Sequence, residues 1–134
     1  MTVERELAAR KSVIEVHQWI EDVFSHHPQE DSEALKKLLN SFTSDFTMIT
    51  ITGQCVTLNQ VKTMFSHNIG TRPGLKIEID ECEVITSNEE CVVLRYREKH
   101  TKDGNTHCRW SVVSISFIDG YPRWCYLHET AIIE

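Results

Sequence analysis

The sequence has no run of basic residues, and its 14 Lys and Arg against 20 Asp and Glu give a net charge of −6. The longest basic stretch is the pair Lys36-Lys37, so the positive surface that binds nucleic acid is not expected. No apolar stretch approaches the ~20 residues of a membrane-spanning helix. Residues 1–10 alternate charged residues with Leu and Ala, unlike a signal peptide. We therefore expect neither nucleic acid nor a membrane as a partner.

The five cysteines are an odd number and include no Cys-x-x-Cys pair. Zinc sites need Cys or His ligands at short spacing, and this sequence has no such cluster, so no metal is expected. Unpaired cysteines are typical of reducing compartments, which favours reduced thiols in a cytoplasmic protein. A disulfide framework is the alternative.

The length and composition are those of one globular domain. The chain has 134 residues, of which 40% are hydrophobic and 25% charged. This length is close to the commonest domain size and suffices for one core. We expect a single domain over residues 1–134, without internal repeats or low-complexity segments.

The hydrophobic pattern predicts three helices and a mostly antiparallel sheet. Apolar residues at helical spacing predict a long first helix over residues 3–26, and Pro28 can open a second helix. An early hairpin follows from Phe42, and Thr57-Leu58-Asn59-Gln60 matches a capping box that starts a short third helix. Four strands are then predicted over residues 75–85, 91–101, 106–117 and 123–132. This order predicts an α+β fold with helices on one face of a curved sheet.

The Asp103-Gly104 dipeptide is typical of a two-residue hairpin turn. Such a turn places Glu98 opposite Arg109 and Tyr96 opposite Ser111, and directly opposed residues share a face of the sheet. The other end of that face is apolar and must cover the core. We therefore expect these four side chains on the concave side, where Glu98 and Arg109 could form a bidentate bond.

A second turn at Asp119-Gly120 sets the position of the last strand. A two-residue turn there places His128 beside Ser111, on the concave face. A slip of one residue would bring Glu129 inside instead, so the orientation of these two residues stays open. In the first strand of the meander, the positions of the acidic side chains predict a bulge near Asp80.

The opposite, convex face of the predicted sheet carries an apolar patch that includes Trp110 and Val112, with Cys125 and Leu127 nearby. Exposed apolar patches commonly mark an interface. We therefore expect a homodimer that forms through this outer sheet face.

The order of elements resembles that of one known superfamily. The resemblance spans about residues 10–132. It rests on the first helix with His17 and Trp19, on segment 46–53 followed by Thr57-Leu58, on Arg72-Pro73-Gly74, and on the ending Trp124-Cys125-Tyr126-Leu127-His128-Glu129-Thr130. These features are similar to those of nuclear-transport-factor-2-like proteins, also called ketosteroid-isomerase-like, which include SnoaL-like proteins. The Trp followed four residues later by His also resembles the association domain of calcium/calmodulin-dependent kinases.

This resemblance implies a cone, in which a bent sheet wraps around a long first helix and a pocket opens at one end. It does not imply one activity, because members include isomerases, dehydratases, cyclases and non-catalytic binding or assembly domains. Steroid isomerases of the superfamily use an Asp base with Tyr and Asp donors. Here the inner face offers Glu98 instead, and the first helix has no Tyr.

The predicted pocket contains several candidate functional residues. Glu98 and His128 are the candidate catalytic residues, since a carboxylate and an imidazole can exchange protons. The candidate ligand-binding residues are Arg109, Tyr96, Ser111, His17 and Trp19. Each has a structural alternative: Glu98 and Arg109 could be a cross-strand ion pair, and the His and Trp residues could be core packing. His100 and His107 face each other across the hairpin, but no third metal ligand is evident.

Two functional hypotheses follow. The first is a non-catalytic module for ligand binding or dimerisation, with Arg109 and His128 favouring an anionic small molecule. The alternative is an acid/base enzyme of the isomerase, dehydratase or cyclase type acting on a small organic substrate. Neither hypothesis requires a metal or a redox cofactor.

Overall fold

The computed structural model describes residues 2–26 and 32–133. In chain order its elements are α1 (Thr2–Ser25), α2 (Ser32–Asn40), β1 (Phe42–Ile49), β2 (Cys55–Thr57), α3 (Leu58–His67), β3 (Lys76–Ser87), β4 (Cys91–Lys102), β5 (Asn105–Ile118) and β6 (Tyr121–Ala131). The three helices, the early hairpin and the four-stranded meander are therefore confirmed. The predicted start of a helix at Pro28 lies outside the described residues.

The six strands form one curved, unclosed sheet in the order β2-β1-β6-β5-β4-β3. Neighbouring strands are antiparallel except β1 and β6, which are parallel. Helix α1 packs on the concave face, with Val13, Val16 and Val23 buried against inner-face residues such as Leu94 and Ile115. The predicted α+β cone is confirmed. Within residues 2–26 and 32–133, no helix is long and apolar enough to cross a bilayer.

The β4–β5 hairpin has the predicted register. Asp103 and Gly104 both have positive φ angles, of 52° and 80°, as the two-residue turn requires. Glu98 therefore pairs with Arg109, and Tyr96 pairs with Ser111. This hairpin fixes the inner face on which the site is built.

The β5–β6 hairpin has the predicted register near its turn and then shifts by one residue. Ile115 pairs with Trp124, but Ser111 pairs with Glu129, because Cys125 is an extra residue in β6 at a bulge. Beyond this bulge every side chain of β6 faces the opposite side from the prediction. The predicted inward position of His128 is therefore wrong, since His128 is exposed.

Two further consequences of the shift concern the outer face. Leu127, which we expected on the convex side, is 7% exposed and belongs to the core. Tyr126 takes its place on the outer face, the face that also carries Trp110 and Val112.

The predicted irregularity near Asp80 is confirmed. The register between β3 and β4 shifts between Asp80 and Glu83, and Glu81 has a φ of 53°. Cys82 and Val84 consequently face the core, whereas Glu81 and Glu83 are exposed. The bulge bends β3 around α1 and keeps its acidic side chains in solvent.

Candidate functional site

A cavity of about 200 Å³ lies between α1, α3 and the concave face of the sheet. Most of its wall is apolar, with Phe24, Phe46, Met48 and Phe65 among the lining side chains. The polar part of the wall consists of His17, Arg72, Glu98, His100, Arg109 and Glu129. Such a combination of apolar wall and few convergent polar groups is typical of a small-molecule site.

Glu98 is at the centre of the polar part and is 2% exposed. Its Oε1 accepts hydrogen bonds from His17 Nε2 at 2.9 Å and from Ser111 Oγ at 3.2 Å. Its Oε2 accepts a bond from His100 Nε2 at 2.6 Å. Burial alone would raise the pKa of Glu98, but His17 and the donated hydrogen bonds hold it well below its ordinary value. Glu98 is therefore an ionised carboxylate at neutral pH.

His17 bridges the first helix and the sheet. Its Nδ1 lies 2.7 Å from the carbonyl oxygen of Val13, an acceptor, so both ring nitrogens donate and the imidazole is protonated. Burial alone would lower the pKa of His17, but the Glu98 carboxylate raises it above its ordinary value. His17 and Glu98 thus form a buried ion pair between α1 and β4.

Arg109 and Glu129 form the second charged pair of the cavity. Arg109 Nη1 lies 3.4 Å from Glu129 Oε2, and their side chains are 17% and 11% exposed. Burial, together with repulsion by Glu98, raises the pKa of Glu129 to about 7, although Arg109 opposes the shift. The predicted direct bond between Glu98 and Arg109 is absent, because Arg109 binds Glu129 while the two histidines and Ser111 bind Glu98.

Glu129 and His100 were not among the predicted site residues. Glu129 was expected inside only if the last strand slipped, and the bulge at Cys125 produces that slip. His100 lies two residues after Glu98 in β4, so strand alternation alone could have placed it on the inner face. Its Nδ1 is buried and has no hydrogen-bond partner in the part of the chain that the structure describes.

Several predicted ligand-binding residues do not line this cavity. Tyr96 is fully buried beside the rings of His17 and Trp124, and burial raises the pKa of its phenol well above the ordinary value. Ser111 is 1% exposed and donates a hydrogen bond to Glu98 Oε1. Trp19 packs against the edge of the core. Tyr96 and Ser111 therefore contact His17 and Glu98 from outside the cavity.

His128 lies outside the cavity, although the sequence predicted it on the concave face. It lies on the outer face, where its Nδ1 accepts a hydrogen bond from the Tyr126 hydroxyl at 3.0 Å. It is separated from Glu98 by the sheet, so the predicted Glu98–His128 pair is wrong. The bulge in β6 is the reason, as described above.

The donor set of the site is suited to proton transfer and anion binding. In residues 2–26 and 32–133, no group of three or more His, Cys, Asp or Glu is arranged to hold a metal ion. Glu129 can accept and donate a proton near neutral pH, and Arg109 can hold an oxygen on which negative charge develops.

No protein-family model matches the sequence, and no curated protein matches it either. Solved structures do match. A nuclear transport factor 2-like (NTF2-like) protein of unknown function from Pseudomonas aeruginosa has 31% sequence identity and a TM-score of 0.87, with 94% of this chain and 99% of that chain covered.

More distant structures share the fold alone. A putative aromatic ring hydroxylase from Novosphingobium aromaticivorans has 12% identity and a TM-score of 0.79, over 100% of this chain and 93% of that chain. An NTF2-like protein from Cytophaga hutchinsonii has 13% identity and a TM-score of 0.69, over 92% of this chain and 98% of that chain. Because the Pseudomonas protein is similar in sequence over almost its whole length, the chain belongs to the NTF2-like family.

Proposed function

We propose that the chain is an acid/base enzyme for a compact, largely apolar organic molecule with an oxygen that can carry negative charge. One observation carries this proposal: the Glu129 carboxyl lies in the wall of an apolar cavity, beside the Arg109 guanidinium, with a pKa of about 7. A carboxyl with this pKa is present in both protonation states at neutral pH, as a general acid or base requires.

The roles of the other groups follow from their positions. Glu129 would take a proton from the substrate and return it to another atom in an isomerisation, or to a leaving hydroxyl group in a dehydration. Arg109 would hold the oxygen that becomes negative when the proton leaves. The His17–Glu98–His100 network would keep this wall of the cavity rigid and charged.

Proton abstraction can be tested without knowledge of the natural substrate. Small enolisable ketones such as 2-indanone and 2-tetralone exchange their α-protons with D₂O, and ¹H NMR measures the rate. We expect the protein to accelerate this exchange, and Glu129→Gln to lower the acceleration by about 100-fold or more. Glu78→Gln removes an exposed carboxylate on β3 and serves as the control. Ketones that bind in the cavity without faster exchange would contradict the proposal.

A second function, non-catalytic binding of a small anionic molecule, is favoured by one specific observation. The charged groups of the site satisfy one another, because Glu98 has three donors and Arg109 is paired with Glu129. Charged groups that satisfy one another are also found in networks with a purely structural role, which perform no proton transfer. This function would be identified by two results together. The protein should bind benzoate, with a lower affinity in Arg109→Gln, and it should not accelerate the exchange of ketone protons.

We also propose that a second copy of the chain packs on the outer sheet face. Trp110, Val112 and Tyr126 are 37%, 38% and 36% exposed there, which is high for large apolar side chains on one face. Sedimentation velocity at micromolar concentration should give a dimer for the wild type and a monomer for Trp110→Asp. Tyr121→Asp, which changes an exposed residue at the end of the sheet, should stay dimeric. A monomeric wild type would contradict the proposal.

A cytoplasmic location is proposed from the state of the cysteines. All five are free thiols in the structure, and free thiols persist in reducing compartments. Alkylation of the protein from fresh cell lysate, without reduction, should modify all five in the unfolded chain. A disulfide found by mass spectrometry would argue against this location.

A further inference from the structure

A second concave region adjoins the apolar cavity at the end of the sheet where β4 and β6 finish and β5 begins. Its volume is about 470 Å³, against about 200 Å³ for the inner cavity. Arg72, His100 and Arg109 line both spaces, so the two meet at these side chains. The outer space, whose lining also includes residues 106–108 and 131–132, is called the vestibule below.

The vestibule has a basic lining in an acidic protein. Its ionisable side chains include Arg72, Arg109, His100 and His107, whereas the whole chain has a net charge of −6. An adjoining hollow adds Lys102 and Asp103, which bind each other at 2.7 Å and so contribute little net charge. A concave surface with one sign of charge concentrates ligands of the opposite sign.

Of the two arginines that line the vestibule, Arg109 is paired with Glu129, whereas Arg72 has no acidic partner in residues 2–26 and 32–133. Its backbone is fixed, because its N–H donates to the Phe24 carbonyl at 2.8 Å and its own carbonyl accepts from Leu75 N at 3.2 Å. The guanidinium, in contrast, forms no hydrogen bond or ion pair with residues 2–26 or 32–133. The residue is partly buried, but its guanidinium nitrogens remain accessible and are therefore open to a ligand.

His100, like Arg72, has a polar group without a hydrogen-bond partner in the described chain. Its Nε2 is bound to Glu98, and its Nδ1 is a buried polar atom without a partner in the described chain. His100 stands where the vestibule meets the inner cavity, next to Arg72. Unpartnered polar groups of two residues at one junction indicate a site whose hydrogen bonds a ligand completes.

We propose that the vestibule binds the oxyanion, a carboxylate or a phosphate, of a ligand whose apolar part enters the inner cavity. Arg72 is the principal anion-binding residue, since its planar guanidinium can donate two parallel hydrogen bonds to such a group. Arg109 and His107 lie beside it. The ligand class is therefore an amphiphilic acid with a compact apolar body. This proposal rests on the proposed function in one respect, the use of the inner cavity.

The test compares 3-phenylpropionate with 3-phenylpropionamide, which has the same apolar part but no charge. NMR titrations at constant ionic strength should show the acid binding about tenfold more tightly, which corresponds to about 1.4 kcal/mol. Arg72→Gln should remove this preference and leave the affinity for the amide unchanged. Lys99→Gln removes one positive charge from the exposed side of β4 and should keep the preference.

A second arm tests the vestibule without the inner cavity. Inorganic phosphate should shift the Arg72 Nε–H resonance more than chloride does at equal ionic strength, and 3-phenylpropionate should compete with phosphate for this shift if carboxylates use the same site. Equal effects of phosphate and chloride would overturn the proposal, as would an acid preference that survives Arg72→Gln. The proposed function fails separately, if ketones bind in the inner cavity without faster exchange of their α-protons.

Discussion

Glu98 and Glu129 are two carboxylates of one cavity whose pKa values are shifted in opposite directions. Glu98 has three hydrogen-bond donors, one of them a protonated histidine, and stays ionised. Glu129 has one partner, Arg109, at 3.4 Å and is repelled by Glu98. Environments that separate the pKa values of neighbouring carboxyls are the usual means of giving them different roles in acid/base chemistry.

The raised pKa of Glu129 should make the folding stability depend on pH. Its pKa in the folded protein is about 7, against an ordinary value of 4.5, so the folded state binds more protons between these values. The stabilisation from this proton is fully present below pH 4.5 and is lost as the pH rises through about 7. Urea unfolding from pH 5 to 8 should show a loss on the order of 2–3 kcal/mol from this group.

Glu129→Gln isolates this contribution. The neutral amide keeps the shape of the side chain but does not titrate, so the variant should gain stability relative to wild type as the pH rises from 5 to 8. Glu78→Gln, at an exposed position of β3, should follow the wild-type curve. Parallel curves for wild type and Glu129→Gln would show that Glu129 titrates at an ordinary pKa.

Glu98→Gln should be strongly destabilising at neutral pH. The substitution removes the charge that holds the pKa of His17 up and turns an amide nitrogen toward donors that need an acceptor. Breaking a buried ion pair by removing one partner costs about 3–5 kcal/mol. The unfolding midpoint in urea at constant m-value measures this loss.

A double-mutant cycle separates the ion pair from general damage to the cavity. His17→Gln removes the other partner, and the double variant should be less destabilised than the sum of the two single variants. Additive losses, or a loss below about 1 kcal/mol for Glu98→Gln, would contradict a strong His17–Glu98 pair.

The sequence predicted one hairpin better than the other for a physical reason. In β4 and β5, the turn residues and the apolar alternation agree, so the opposition of Glu98 and Arg109 follows from Asp103-Gly104. In β6, both Trp124 and Leu127 are buried, although residues three apart face opposite sides of a regular strand. An extra residue is needed between them, and local sequence does not show that both must enter the core.

The contacts that complete the site depend on how the elements pack. The spacing of apolar residues in α1 placed His17 near the inner face, but its bond to Glu98 depends on the rotation of the helix against the sheet. Arg72-Pro73-Gly74 carried part of the family resemblance in the sequence, but the position of Arg72 in the wall that it shares with His100 depends on backbone hydrogen bonds to the end of α1. Long-range packing therefore set the functional geometry, while local patterns set the elements.

Ser12→Ala should destabilise the contact between α1 and β6. Trp124 Nε1 donates to Ser12 Oγ at 2.9 Å, and both residues are buried, so the variant leaves an indole N–H without an acceptor. The expected loss is about 1–3 kcal/mol, measured by urea unfolding. Ser66→Ala, on the exposed side of α3, should change the stability little. A loss that equals that of the control would mean that the hydrogen bond contributes nothing.

The bulge in β3 offers a substitution to glycine that should not weaken the strand. Glu81 has a φ of 53°, a conformation that costs about 1–2 kcal/mol for a residue with a side chain and little for glycine. Glu81→Gly should therefore leave the stability unchanged or raise it by up to about 1 kcal/mol, since the lower strain offsets the greater freedom of the unfolded chain. Glu78→Gly, at an exposed position of the same strand with regular backbone, should lose about 1 kcal/mol. Thermal and urea unfolding of both variants measure the difference, and equal losses would mean that the backbone at Glu81 is unstrained or extended.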